Sequence, residues 1–96
     1  MGMSLPERVR LVVAVLMHAS GESQARLAEA LGVTQAQVSR RQSGSAAWSL
    51  ADCEALAVHY GMDVLDFLAG PTRACEALPE ERRAGRRRPT VKGEVR

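Results

Sequence analysis

Two short helical patterns stand back to back in "SQARLAEALGVTQAQVSRRQSG", Ser23 to Gly44, with only Leu-Gly-Val between them. Ser23 is placed to cap the first, which ends at Leu31 with Gly32 as a left-handed terminator. Thr34 and Gln37 form a capping box that opens the second three residues later, and Gly44 closes it. The first pattern offers Leu27, Ala28 and Leu31 to a core, while the second offers Val38 alone. At about 100° per residue, Val38 faces inward while Ala36, Ser39 and Arg40 point away, and Gln35 and Gln37 occupy the exposed first turn. A helix with a single apolar anchor is held by its neighbours. Its outer face is then free for another purpose.

The same punctuation divides the rest of residues 4–70 into helices. Ser4 and Glu7 make a capping box with Pro6 in the first turn, and the helix they open runs to about Ala19 and stops at Gly21. Ser49 caps a fourth helix, with Asp52 in its first turn and Trp48 and Cys53 at the staple positions on either side of the cap. Gly61 ends it, and His59 in its last turn suits the negative end of the helix dipole. Asp63 caps a short fifth helix that Gly70–Pro71 terminates, and a further turn fits Thr72–Leu78. No strand pattern is present. The expected fold is all-α, a five-helix domain over residues 4–70 followed by a C-terminal extension over 71–96.

Aromatic residues are few (Trp48, Tyr60 and Phe67), so the core has to be built from Leu, Val, Ala and Met, the usual material of helix packing. Charge is unevenly placed: residues 1–78 hold six Arg against eight acids, net −2, and residues 79–96 hold seven Arg or Lys against three Glu, net +4. The composition breaks at Pro79, and "PEERRAGRRRPTVKGEVR" reads as a mobile or partner-ordered basic tail. No apolar run reaches the ~20 residues of a membrane span, and the run Leu11–Met17 is too short and wrongly flanked for a signal peptide. Cys53 and Cys75 suit thiols in a reducing cytosol. The expected location is therefore cytoplasmic, near the nucleoid.

Two helices joined by a tight Gly turn, the second polar and protruding, are the helix-turn-helix arrangement that reads a major groove. Residues 23–68 resemble the Cro/cI-like (XRE) DNA-binding domain of phage repressors and bacterial regulators. The resemblance rests on Ser23–Gln24, Ala28, Leu31-Gly32-Val33, Thr34, Val38, Ser39–Arg40, Gly44, Ser49–Leu50 and "GMDVLDFL" at Gly61–Leu68. Each dipeptide is weak alone; the ordered set is specific. Three departures stand out. Arg41 occupies a position that the family usually fills with a buried apolar residue, and it is expected to snorkel to solvent or phosphate. Trp48 replaces a common loop residue. Helix 1 is longer than usual and apolar on most of its circumference from Val9 to Met17, more than a five-helix core can cover. That excess surface, Val12, Val13, Val15 and Leu16 in particular, has to be covered by segment 71–78 or by a second subunit.

The resemblance implies double-stranded DNA as partner, read as a palindromic operator by a homodimer. Gln35, Ala36, Gln37, Ser39 and Arg40 are the candidate base contacts, since Gln pairs with adenine N6/N7 and Arg with guanine O6/N7. Ser23, Gln24, Thr34, Arg41, Ser43 and Ser45 are the candidate phosphate contacts, with Gln24 at a helix N-terminus whose free N–H groups favour an anion. Arg82, Arg83, Arg86, Arg87 and Arg88 are candidate tail contacts to DNA. His18, His59, Cys53 and Cys75 match no zinc spacing. No Ser/His/Asp arrangement, carboxylate pair or phosphate-binding Gly loop is present, so neither an enzyme nor a cofactor is expected. The expected function is a transcriptional regulator, a repressor of phage, plasmid or mobile-element type. Two alternatives stay open: an antitoxin whose segment 71–96 wraps a toxin, and a module that docks on the transcription machinery.

Overall fold

A computed structural model of the chain describes residues 2–85, which are helical with no strand among them. Six α-helices follow one another: α1 (Leu5–Ser20), α2 (Gln24–Leu31), α3 (Gln35–Ser43), α4 (Leu50–Tyr60), α5 (Val64–Leu68) and α6 (Pro71–Ala77), then a 3-10 turn at Glu80–Arg82. The caps do what their spacing dictates. Ser4 with Glu7, Thr34 with Gln37, and Ser49 with Asp52 each form the reciprocal pair of hydrogen bonds that satisfies two otherwise unpaired N–H groups.

Each helix gives one stripe to a shared core. Val9, Val12, Val13 and Leu16 come from α1, Leu27 and Ala28 from α2, Val38 from α3, and Cys53, Leu56, Ala57 and Tyr60 from α4. Phe67, Ala74 and Leu78 close it from α5 and from α6 with the residue that follows it. No charged side chain is buried in this set. Burial pushes the Cys53 thiol above its usual range, and the nearby negative charge of Asp52 adds to the shift, so the group behaves as a small apolar one. Cys53 and Cys75 are both free thiols.

The structure corrects the expected division at residue 70. Helix α6 lies along α1 and against α5, and Ala74 is fully buried. The fold therefore has six helices, and segment 71–78 belongs to the same core as residues 4–70. This settles what covers α1. Val12, Val13 and Leu16 are fully enclosed within the chain, so they have no surface to offer a second subunit. Val15 is half-buried in a shallow hollow with Pro71, Thr72, Cys75 and Glu76. The reason is one of volume: a sixth helix supplies the apolar partner that five helices lacked.

Residues 82–84, just beyond α6, are also pinned. The Ala84 N–H donates to the Ala19 carbonyl at 2.8 Å, and Arg83 Nη2 donates to the carbonyls of Cys75 and Leu78 at the end of α6. Arg82 lies over the Tyr60 ring at 6.0 Å. Arg82 and Arg83 are thus committed within the molecule instead of standing free for DNA. Arg86, Arg87 and Arg88 lie outside the described residues. Among the described residues no helix is long and apolar enough to cross a membrane.

Candidate nucleic-acid interface

The α2–α3 unit begins at a polar knot. Glu22, the residue before the α2 cap, accepts the Tyr60 hydroxyl at 2.7 Å through Oε1, and its Oε2 lies 2.7 Å from His59 Nε2. Arg82 Nη2 stands 3.5 Å from the same imidazole nitrogen. His59 is therefore engaged by a carboxylate from another helix junction. Burial, and then the hydrogen bond and charge of Glu22, push the Tyr60 phenol well above its ordinary value near 10. The knot fixes the start of α2 against the end of α4.

From there Ser23 Oγ accepts the Arg26 N–H at 3.1 Å, and Gln24 follows, half-buried, at the first position of α2. Gly32 turns the chain in the left-handed conformation, and Val33 N donates to the Ala28 carbonyl. Thr34 then opens α3, which packs against α2 and α1. Val38 is fully buried and is the one buried residue of α3. Gln35, Ala36, Gln37, Ser39 and Arg40 are all exposed, so the face expected to read bases is brought together on one helix.

These residues are not equally free. Gln37 Oε1 accepts the Thr34 N–H at 2.8 Å, which leaves only its amide N–H₂ to meet a base. The Thr34 hydroxyl is taken up by the Gln37 N–H at 3.1 Å. Ser43 Oγ donates to the Arg40 carbonyl and shares a 3.1 Å hydrogen bond with Ser45 Oγ, which shapes the loop after α3. Arg40 is exposed and has no ion pair among the described residues.

Arg41 does not snorkel outward. Its guanidinium lies over the Trp48 ring at 5.5 Å, and its Nε is 3.4 Å from Asp52 Oδ2. That Nε is buried and misaligned for a hydrogen bond, so the contact is an ion pair held by proximity. Paired to Asp52, Arg41 works as a strut between α3 and α4. Trp48 likewise serves α3: its indole N–H donates to Gln42 Oε1 at 2.8 Å, and Gln42 Nε2 donates to the Arg10 carbonyl at 3.1 Å. A chain of hydrogen bonds thus runs from the α3–α4 loop through α3 to α1.

One cation was not expected from the sequence. The Arg10 guanidinium covers Gly44, whose φ is +91°, and a Cβ at that glycine would lie 3.5 Å from Arg10 Cζ. Arg10 therefore stands in the same loop region as Ser43 and Ser45, with no ion pair among the described residues. The available signal was a single Arg within a helix otherwise apolar from Val9 to Met17. Among the described residues no group of three or more His, Cys, Asp or Glu side chains is arranged to hold a metal.

Comparison of the chain with protein-family models, with curated proteins and with solved structures finds no match in any of the three.

Proposed function

We propose that this protein is a sequence-specific DNA-binding regulator of Cro/cI-like helix-turn-helix type that lays α3 in the major groove and acts as a repressor. The observation that carries the reading is the division of labour on α3. Val38 alone anchors it, the Trp48–Gln42–Arg10 chain and the Arg41–Asp52 pair brace it, and the side chains of Gln35 and Arg40 are exposed with no hydrogen bond or ion pair among the described residues. A braced helix with an idle polar face suits base-edge readout, because rigid positioning is what converts a hydrogen bond into discrimination.

In this reading Gln35 and Arg40 contact base edges, the Gln37 amide donates to a base acceptor, and Ala36 and Ser39 line the groove. Gln24 at the α2 N-terminus holds one phosphate, and Ser43, Ser45 and Arg10 hold another. Thr34 and Ser23 set the caps, and Arg41 shapes the surface without touching DNA. The antitoxin alternative loses part of its binding segment, since residues 71–84 fold back on the domain. Fluorescence anisotropy on DNA enriched from a random pool, compared with a scrambled duplex at the same salt, tests the reading. Equal affinity for both would refute it.

A further inference from the structure

Arg41 stands at the edge of the surface proposed to read DNA. It lies one turn after Gln37 on the same side of α3 and next to Arg40. Gln37, Arg40 and Arg41, with Ala46 from the loop after α3, line one hollow of about 200 Å³ that no carboxylate lines. Asp52 reaches Arg41 from α4 instead, with Oδ2 3.4 Å from Nε. That Nε is buried and has no hydrogen bond, so the charge of the carboxylate is what offsets its lost hydration. Trp48 supports the guanidinium at 5.5 Å, but a neutral ring does not cancel its charge. Asp52 is itself held in place, because the same Oδ2 accepts the Ser49 N–H at 2.8 Å in the cap of α4. The two side chains keep 21 % and 28 % exposure, so the pair can open without opening the core.

We infer, on the strength of the DNA reading above, that Asp52 is a positioning residue that withholds Arg41 from the DNA backbone and so sets the share of affinity that is independent of sequence. Two adjacent free arginines at the rim of α3 offer two phosphate contacts; the Asp52 carboxylate leaves one, at Arg40. With the charge at position 52 removed, the Arg41 guanidinium keeps a buried N–H with nothing to offset it. It then turns into the hollow beside Arg40, where a backbone phosphate of bound DNA supplies the missing anion. A phosphate carries no base identity, so the gain falls on every sequence alike. The device belongs to this chain, since position 41 is usually apolar in the family that residues 23–68 resemble.

Fluorescence anisotropy over a salt series, on the duplex enriched from a random pool and on a scrambled one, is the test. Asp52→Asn keeps an oxygen for the Ser49 cap and removes the charge. It should bind both duplexes more tightly, by the same factor, and steepen the slope of log affinity against log salt by ~0.9, the share of one phosphate. Arg41→Met, which keeps an apolar stem, should leave the slope at its wild-type value. In the Arg41→Met background, Asp52→Asn should no longer steepen it. Circular dichroism checks that each variant is folded. A slope that falls in Arg41→Met would place wild-type Arg41 on a phosphate already and overturn the inference. So would a slope that Asp52→Asn leaves unmoved, or one that it steepens equally in the Arg41→Met background, where only the charge of Asp52 itself can act. A gain confined to the enriched duplex would make Arg41 a base contact and overturn it too. All of these leave the DNA reading standing, whereas a wild type that binds neither duplex at low salt overturns both.

Discussion

Glu22→Ala removes the carboxylate on which the α1–α2 junction rests, and its cost can be worked from the geometry. Two 2.7 Å contacts go, one from the Tyr60 hydroxyl and one from His59. A hydrogen bond to a charged group contributes ~1.5–3 kcal/mol, and Tyr60, with its ring fully buried, is left with a hydroxyl that has lost its acceptor. The His59 contact counts for less, because both partners keep some exposure, 18 % and 14 % of their side chains. The sum is about 2–4 kcal/mol. For a domain of this size each kcal/mol moves the midpoint by ~4–8 °C, so Tm should fall by at least ~8 °C. Thermal unfolding followed by circular dichroism measures it. Tyr60→Phe alone should cost roughly half as much, about 1–2 kcal/mol, and the double mutant should cost less than the two singles added, by ~1 kcal/mol. A Tm unchanged by Glu22→Ala, or a cycle additive within about 0.5 kcal/mol, would refute the claim that this knot holds the junction.

Other outcomes follow from the same contacts. Val38→Ala should destabilise by about 2 kcal/mol, from two lost methyl groups and the small cavity they leave, whereas Arg40→Ala should leave urea denaturation unchanged. Tyr60 has a folded-state pKa above its unfolded value, so its contribution is fully present below pH ~10 and is lost as pH rises further; stability measured against pH should fall on the alkaline side less steeply in Tyr60→Phe. Deleting residues 86–96 should lower the slope of log affinity against log salt by ~0.9 for each phosphate that Arg86, Arg87 or Arg88 neutralises. An unchanged slope would assign that segment to a protein partner.

What could be read from sequence was what is local. Helix starts at Ser4, Ser23, Thr34, Ser49 and Asp63, and stops at Gly21, Gly32, Gly44 and Gly61, are set by hydrogen bonds that reach two to four residues. The exposed face of α3 was legible for the same reason, since one buried Val fixes the rotation of the whole helix. What escaped was non-local. That the turn at 72–78 becomes α6 and fills the groove of α1 depends on volumes summed over three helices. The Trp48–Gln42–Arg10 chain and the Glu22 knot join residues up to 38 positions apart, and no local spacing announces them. The contacts of Arg41 with Asp52 and Trp48 are of this kind, because both partners also have local roles at the start of α4 that account for them without Arg41.

The proposed role of the outer face of α3 is to read DNA sequence. Binding-site selection from a random duplex pool, run in parallel on wild type and on a variant with Gln35, Gln37 and Arg40 all replaced by Ala, tests it most directly. Wild type should enrich a defined motif, and the variant, still folded by circular dichroism, should bind DNA with that preference lost at the positions these side chains contact. Each lost bidentate contact should cost ~1–3 kcal/mol on the preferred site. If the variant enriches the same motif with the same strength, α3 is not the reading element.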